Sequence, residues 1–393
     1  MPIEGRDDAT PARIRLGMVG GGEGAFIGAV HRIAARLDDQ YELVAGALSA
    51  SPDKARRSGA ALGLDPARIY DDFGAMAKAE AERADGVEAV AIVTPNHMHA
   101  PVARAFLDAG IHVICDKPLS LDLESAKALK ALTDKTKRIF AVTHNYTGYP
   151  MVRQARAIVA AGELGEIRLV QVQYAQDWLT ESLEDTGHKQ ADWRVDPARA
   201  GAGGCLGDIG THAFNLADYV TAVPLTALCA ELTRFVPGRR LDDNVQMLLR
   251  YANGARGSLW ASQVAPGNEN TLALQVYGSK GGLEWRQEQP NHLRWSPFGE
   301  PSRTLTRAGP GAGPEAARVS RTPSGHPEGY LEGFANLYAE IARAIRAARD
   351  GAPVDPAVHF PTVEDGVKGL AFIEAAVASS ASGGVWTELQ NVQ

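Results

Sequence analysis

The chain of 393 residues is poor in cysteine, in aromatic residues and in unbroken apolar runs, and it has no excess of positive charge. Its three cysteines, Cys115, Cys205 and Cys229, stand far apart and in odd number, which excludes a disulfide framework and paired zinc-ligand spacing. Reduced thiols in a cytoplasm fit best. No apolar stretch approaches the roughly 20 residues needed to cross a bilayer, and Met1 to Arg13 is polar, without the apolar run of a secretory signal. Forty Lys plus Arg against 47 Asp plus Glu leave a formal charge of −7, which argues against nucleic acid or a membrane as partner. What remains is ordinary globular composition, 45% hydrophobic and 22% charged, long enough for two or three cooperating domains.

From Ile14 to Thr143 short apolar runs alternate with helix-period segments, the pattern of parallel strands joined by crossover helices. Strands are predicted at Ile14–Val19, Leu43–Leu48, Val87–Thr94, His112–Cys115 and Ile139–Thr143, with helices from Ala29, Pro52, Ala100 and Leu123. The fold class is therefore α/β: a doubly wound Rossmann sheet over residues 12–144. After residue 145 the rhythm changes to longer alternating segments, among them Ile167–Tyr174, Gln246–Tyr251 and Leu272–Tyr277, with a hairpin signal at Asn253-Gly254. Residues 145–393 read as an α+β domain with a large, open, mainly antiparallel sheet, closed by two helices, Gly329–Arg349 and Val363–Ala381. The Gly- and Pro-rich stretch Ser302–Pro323 reads as a long, mobile loop. A sheet covered on one face predicts a large apolar patch, hence a homodimer or homotetramer built on it.

After the first predicted strand comes a glycine cluster and then a helix. Glycines remove the Cβ atoms between a phosphate and the backbone, and a helix N-terminus presents free N–H groups and a positive dipole end. Gly20, Gly22 and Gly28 are the candidates, flanked by Phe26 and Ile27. The common spacing G-x-G-x-x-G would end at Ala25, whereas this chain reaches its third glycine only at Gly28. The same pattern also closes strand-to-helix turns that bind nothing; its place at the head of a βαβ series favours a dinucleotide. At the end of the second strand, where an acidic residue commonly receives the adenosine ribose, stands Ser49. That leaves NADP admissible, but no Arg follows directly to grip a 2′-phosphate, so NAD is favoured.

Three more segments carry chemistry: Thr94-Pro95-Asn96-His97-Met98-His99 and Cys115-Asp116-Lys117-Pro118, both at strand ends, and Gly203 to His212 with Asp208 inside it. Taken together with Trp193-Arg194 and Glu364-Asp365-Gly366, they make the chain resemble the Gfo/Idh/MocA oxidoreductases over nearly its whole length. Asp116-Lys117-Pro118 matches that family's E-K-P with Asp for Glu, and Asp208-x-Gly210-x-His212 matches its substrate-domain signature. The resemblance implies that Thr94, Pro95, Asn96, His99, Asp116 and Lys117 line the nicotinamide site. Lys117, Tyr146, Trp193, Arg194, Asp208 and His212 then face a small polyhydroxylated substrate. The loop Gly21–Gly28 is similar to that of members that oxidise anhydrosugars.

The chemistry implied is oxidation of a secondary alcohol by hydride transfer, which needs a base on the hydroxyl proton. His212 fits that role, kept neutral by a helix N-terminus. Asp208, four residues earlier, orients the ring or holds a neighbouring hydroxyl, and Lys117 offers a cation to the developing alkoxide. The plainer readings are a solvated Lys117, an N-cap at Asp208 and a satisfied interior histidine. His97 and His99 lack a third ligand, so no metal is expected. Two rival activities share the scaffold: an NAD-dependent redox-elimination glycosidase and a non-catalytic dinucleotide sensor.

Overall fold

The computed structural model describes residues 11–390; Met1 to Thr10 of the polar N-terminal stretch lie outside the described residues. The first lobe runs β1 (Ile14–Gly20), α1 (Phe26–Leu37), β2 (Tyr41–Ala47), α2 (Pro52–Ala61), α3 (Phe73–Ala81), β3 (Ala89–Val93), α4 (His99–Asp108), β4 (His112–Cys115), α5 (Leu123–Thr136) and β5 (Phe140–Val142). Its strands pair in parallel in the order β2-β1-β3-β4-β5. Every residue of β3 is buried, as a central strand covered by helices on both faces requires. The order turns back on itself between β1 and β3, and a crevice opens at the carboxyl ends of those strands. Helix α1 starts at Phe26, earlier than the expected Ala29. Helix α3 was not foreseen, because its Ala-rich run FGAMAKAEA gives little contrast between faces, although Asp72 caps it by accepting the Ala75 N–H at 2.8 Å.

The second lobe adds α6 (Pro150–Ala160), β6 (Ile167–Ala175), α7 (Lys189–Arg194), α8 (Pro197–Ala200), a π-helical turn (Leu206–Gly210) and α9 (Thr211–Thr221). Then come β7 (Leu225–Thr233), β8 (Asn244–Tyr251), β9 (Arg256–Ser262), β10 (Thr271–Gly278), β11 (Gly281–Arg286), β12 (His292–Pro297) and β13 (Arg303–Thr306). The chain ends with α10 (Pro314–Ala317), α11 (Tyr330–Arg349), α12 (Val363–Ala381) and β14 (Thr387–Glu388). The nine strands lie in the order β13-β12-β11-β10-β6-β9-β8-β7-β14 and pair antiparallel except at β6/β9. One face buries a row in register, Met247, Leu259, Val172, Leu274, Trp285 and Leu293, beneath the helices.

The other face corrects the expectation of a large apolar patch. Its neighbouring row reads Leu248, Ser258, Gln171, Gln275, Glu284 and Arg294, so apolar side chains such as Leu169, Leu248 and Tyr277 stand exposed among polar ones. Ser302–Pro323 is corrected as well. It holds β13 and α10, and the buried Arg307 guanidinium pins it by donating to the carbonyls of Thr322 at 2.7 Å and Pro323 at 3.0 Å while pairing with Glu328 at 3.0 Å.

Both closing helices return to the first lobe. Helix α11 lies on α1, where Tyr338 shares a 2.8 Å hydrogen bond with His31 and its carbonyl accepts from the Tyr41 hydroxyl at 2.9 Å. Helix α12 packs on α5, and a Cβ added at Gly366 would stand 2.7 Å from Leu119. The helix therefore seats directly behind Lys117-Pro118.

Candidate active site

A cleft of about 1220 Å³ runs between the lobes along the carboxyl ends of the parallel strands. At one end Gly20, Gly21, Gly22, Phe26 and Ile27 line it. Gly28 stands in the first turns of α1, and its Cβ would lie 2.4 Å from the Gly21 Cα, so the strand-to-helix approach tolerates only hydrogen there. Gly21, whose φ is +71°, is the partner that sequence spacing missed. Gly22 leaves a cradle that a side chain would fill, with a Cβ 2.6 Å from the Leu48 carbonyl. Ser49 and Lys54 border the same end. No carboxylate stands at the end of β2; Asp71 borders the same end of the cleft and pairs with Arg56 at 3.3 Å.

Farther along, Thr94, Pro95, Asn96, Asp116 and Lys117 line the cleft. Asn96 also donates to the Ala200 carbonyl at 2.9 Å, tying the lobes together, and Asp116 accepts the Lys117 N–H at 2.8 Å and the Thr143 hydroxyl at 3.0 Å. His99 departs from expectation. Its ring sits between the carbonyls of Pro118 and Thr94 at 2.6 and 2.9 Å, buried, so it braces two loops and has no nitrogen left for a ligand. Thr94 Oγ1, His97 Nδ1 and Asn145 Nδ2 are sealed from solvent without hydrogen-bond partners, and all three residues line the cleft. Glycine cradle and orphaned polar atoms together fit an extended dinucleotide.

The catalytic candidates meet where the lobes meet. Lys117 Nζ donates to the Asp208 carboxylate at 2.8 Å and to its main-chain carbonyl at 2.6 Å. The other carboxylate oxygen accepts from Arg194 Nε at 3.0 Å and Gln263 Nε2 at 2.9 Å. Burial works to raise the Asp208 pKa, but the Arg194 and Lys117 cations outweigh it and hold the carboxyl well below the usual carboxylate range. Asp208 thus anchors Lys117 rather than the His212 ring, which corrects the expected orienting role. Asp208 sits in the π-helical turn, a register common at functional sites.

His212 lies in the first turn of α9, but the π turn continues that helix backwards, so no free N-terminus acts on the ring. Burial lowers its pKa instead, helped by Lys117 and His144, and keeps it neutral. Its Nδ1 is sealed without a partner, which leaves Nε2 as the nitrogen that meets the cleft. The Tyr146 ring stands 4.9 Å away and His144 5.3 Å, both edge-on; burial pushes His144 down to about 3. Tyr146 is present but occupied, its hydroxyl 2.5 Å from that of Tyr174.

The remaining wall was largely missed by sequence reasoning. Tyr174 donates to Asn270 Oδ1 at 2.8 Å, Gln176 Nε2 to the same oxygen at 2.8 Å, and Trp178 to Gln176 Oε1 at 3.1 Å. The Arg194 guanidinium lies 4.3 Å from the Trp193 ring centre and 5.9 Å from that of Trp178. Tyr174 and Gln176 carried no signal beyond a run of polar residues at the end of β6 and Asn270 carried none, whereas Trp193 and Arg194 were expected to face the substrate.

Two family models match the chain: an oxidoreductase family with an NAD-binding Rossmann fold over residues 14–144, and a GFO/IDH/MocA C-terminal domain over residues 152–284. A solved oxidoreductase from Sinorhizobium meliloti is 57% identical, with a TM-score of 0.88 over 96% of this chain and 99% of that one. An inositol dehydrogenase homolog from Azotobacter vinelandii, solved with NADH and myo-inositol, is 38% identical, with a TM-score of 0.90 over 96% and 97% of the two chains. Levoglucosan dehydrogenase of Pseudarthrobacter phenanthrenivorans is 28% identical over 72% of this chain and 75% of its own. The chain with this cleft belongs to the Gfo/Idh/MocA oxidoreductase family, and its first lobe is an NAD-binding Rossmann domain.

Proposed function

We propose that the protein is an NAD-dependent dehydrogenase that oxidises a secondary hydroxyl of a cyclic polyol or sugar, an inositol, a pyranose or an anhydrosugar, with His212 as the general base. The observation that carries this reading is the meeting of Lys117, Asp208 and His212 at the junction of the two lobes, which we divide at 144/145. Bound NAD supplies the hydride acceptor. His212 is neutral, so Nε2 accepts the hydroxyl proton as the hydride leaves the same carbon. The Lys117 ammonium, held by Asp208, stabilises the charge that develops on that oxygen, and exclusion of water strengthens the effect. Gln176, Gln190, Asn270 and Gln287 line the cleft beside Trp178 and Trp193, a wall of hydrogen-bonding groups and ring faces suited to a polyhydroxylated ring. The ligands named for the relatives, myo-inositol and levoglucosan, are of this class. Asp71 at the adenosine end favours NAD over NADP through repulsion of a 2′-phosphate. Among the described residues no helix is long and apolar enough to cross a membrane, and free thiols at Cys115, Cys205 and Cys229 suit a cytoplasmic enzyme.

The test is a panel of inositols, aldoses and anhydrosugars with NAD and NADP, read by absorbance of the reduced nicotinamide. Accumulation of NADH with one of them supports the dehydrogenase. Release of a leaving group without NADH would move the reading to redox elimination, and a protein that binds dinucleotide but turns over nothing would be a sensor. We also propose a homodimer or homotetramer through the uncovered sheet face, supported by the exposed Leu169, Leu248 and Tyr277. A monomer in light scattering at micromolar concentration would contradict it.

A further inference from the structure

The helical stretch that carries Asp208 and His212 begins abruptly after Gly203-Gly204, and its first amides are held by a residue from another part of the lobe. Asp242, just before β8, accepts the Gly204 N–H at 2.7 Å on one carboxylate oxygen and the Leu206 N–H at 2.8 Å on the other. Its main-chain carbonyl accepts the intervening Cys205 N–H at 2.8 Å. Three successive amides therefore end on one residue. The approach is so close that a Cβ on Gly204 would stand 2.3 Å from the Asp242 carbonyl oxygen.

This carboxylate is 7% exposed and, among the described residues, forms no ion pair. Asp243 and the Cys205 thiol lie beside it, with Asp208 in the turn that follows. Asp243 is engaged by Arg239 at 3.3 Å and by the amides of Phe235 and Val236. The Cys205 thiol is pushed far up by burial, and Asp208 is held by its two cations. Its compensation comes from the backbone: two aligned N–H groups and the positive end of the helix they open.

We propose that Asp242 is a positioning residue of the catalytic centre, its carboxylate clamping the Gly204 and Leu206 amides and thereby fixing where the following turns present Asp208 and His212. The proposal rests on the catalytic reading of those two residues. Burial pushes Asp242 up to about 6, so it takes a proton in mild acid, where the neighbouring Asp208 and His212 do not change charge. Because the folded pKa lies above the unfolded one, this group's contribution to stability is full in acid and lost as pH rises through about 6. The clamp is therefore not undone by mild acid, and Tm does not fall on its account.

The experiment has two arms. Hydrogen exchange of the free protein, corrected for intrinsic rates, follows the segment Gly203–His212 between about pH 5 and pH 7.5 in the wild type and in Asp242→Asn. Protection is expected to be high at both ends in the wild type, where the carboxylate holds the two amides, and low at both ends in the variant. In turnover with the polyol the wild type oxidises, Asp242→Asn is expected to lower kcat about 10- to 100-fold and leave KM for NAD within about twofold. An unchanged kcat, a KM for NAD that rises as much as kcat falls, or equal protection in both proteins overturns the clamp. If the variant does not fold, Gly204, Cys205 and Leu206 amides that exchange freely in the wild type overturn it. A wild type that oxidises no polyol removes the proposed function, and the exchange arm still decides whether the clamp exists.

Discussion

The two ends of the cleft are made of different material. The dinucleotide end is backbone: glycines at 20, 21, 22 and 28, a helix start, and space where side chains are missing. The catalytic end is side chain: a carboxylate shared by an ammonium, a guanidinium and an amide, beside a sealed imidazole. A backbone site can be broken only by adding atoms, whereas a side-chain site is broken by taking them away. Substitutions at the two ends should therefore fail in opposite ways, one in binding and one in rate.

The sharpest contrast is at the catalytic end. Lys117→Met removes the cation from the developing alkoxide, and kcat should fall about 100- to 1000-fold while dinucleotide affinity, read by quenching of protein fluorescence, changes by less than about threefold. A loss of binding as large as the loss of rate would erase the distinction. Next in size, Asp208→Asn leaves Lys117 and Arg194 facing each other across a neutral amide, at a cost of about 3 kcal/mol in urea unfolding at neutral pH. Its sign can be checked by titration. The folded pKa of Asp208 lies below its unfolded 3.8, so its contribution is full above about 4 and is lost as pH falls below that; the gap between wild type and variant should close in acid.

At the other end Gly28→Val pushes a branched side chain into Gly21. The expected cost is about 1 to 3 kcal/mol, with KM for NAD raised and kcat at saturation nearly unchanged. Smallest of all, Leu248→Glu on the uncovered sheet face should shift light-scattering mass toward monomer while kcat moves by less than about twofold. If kcat fell with it, the sheet would be coupled to the cleft.

The same division governs what the sequence makes legible. Parallel strands such as β3 are apolar on both faces and could be read from composition alone, and the glycine turn announced itself although its spacing hid Gly21. Asp208 and His212 were found only as part of a joint pattern of motifs. What holds them was not visible: Asp208 binds Lys117 and Arg194, partners 91 and 14 positions away, instead of the histidine four residues on. His212 is neutral through burial, a property of the assembled lobe rather than of its neighbours in the chain. His99 misled because a strand-end histidine looks the same whether it faces a ligand or braces two carbonyls. Gln176, Gln263 and Asn270 lie on strands or strand ends whose polarity alone says nothing of what they face.

The seat of Lys117 is finished by α12, which reaches Leu119 through the missing side chain of Gly366. During synthesis the Rossmann strands emerge early and can pair while the ribosome is still far from the 3′ end of the message. The brace behind the reactive ammonium arrives only with Val363–Ala381. A chain cut at Pro361 would keep nearly every strand of both sheets yet lose the helix packed on Leu119, so the integrity of this site depends on a segment distant from it in the chain.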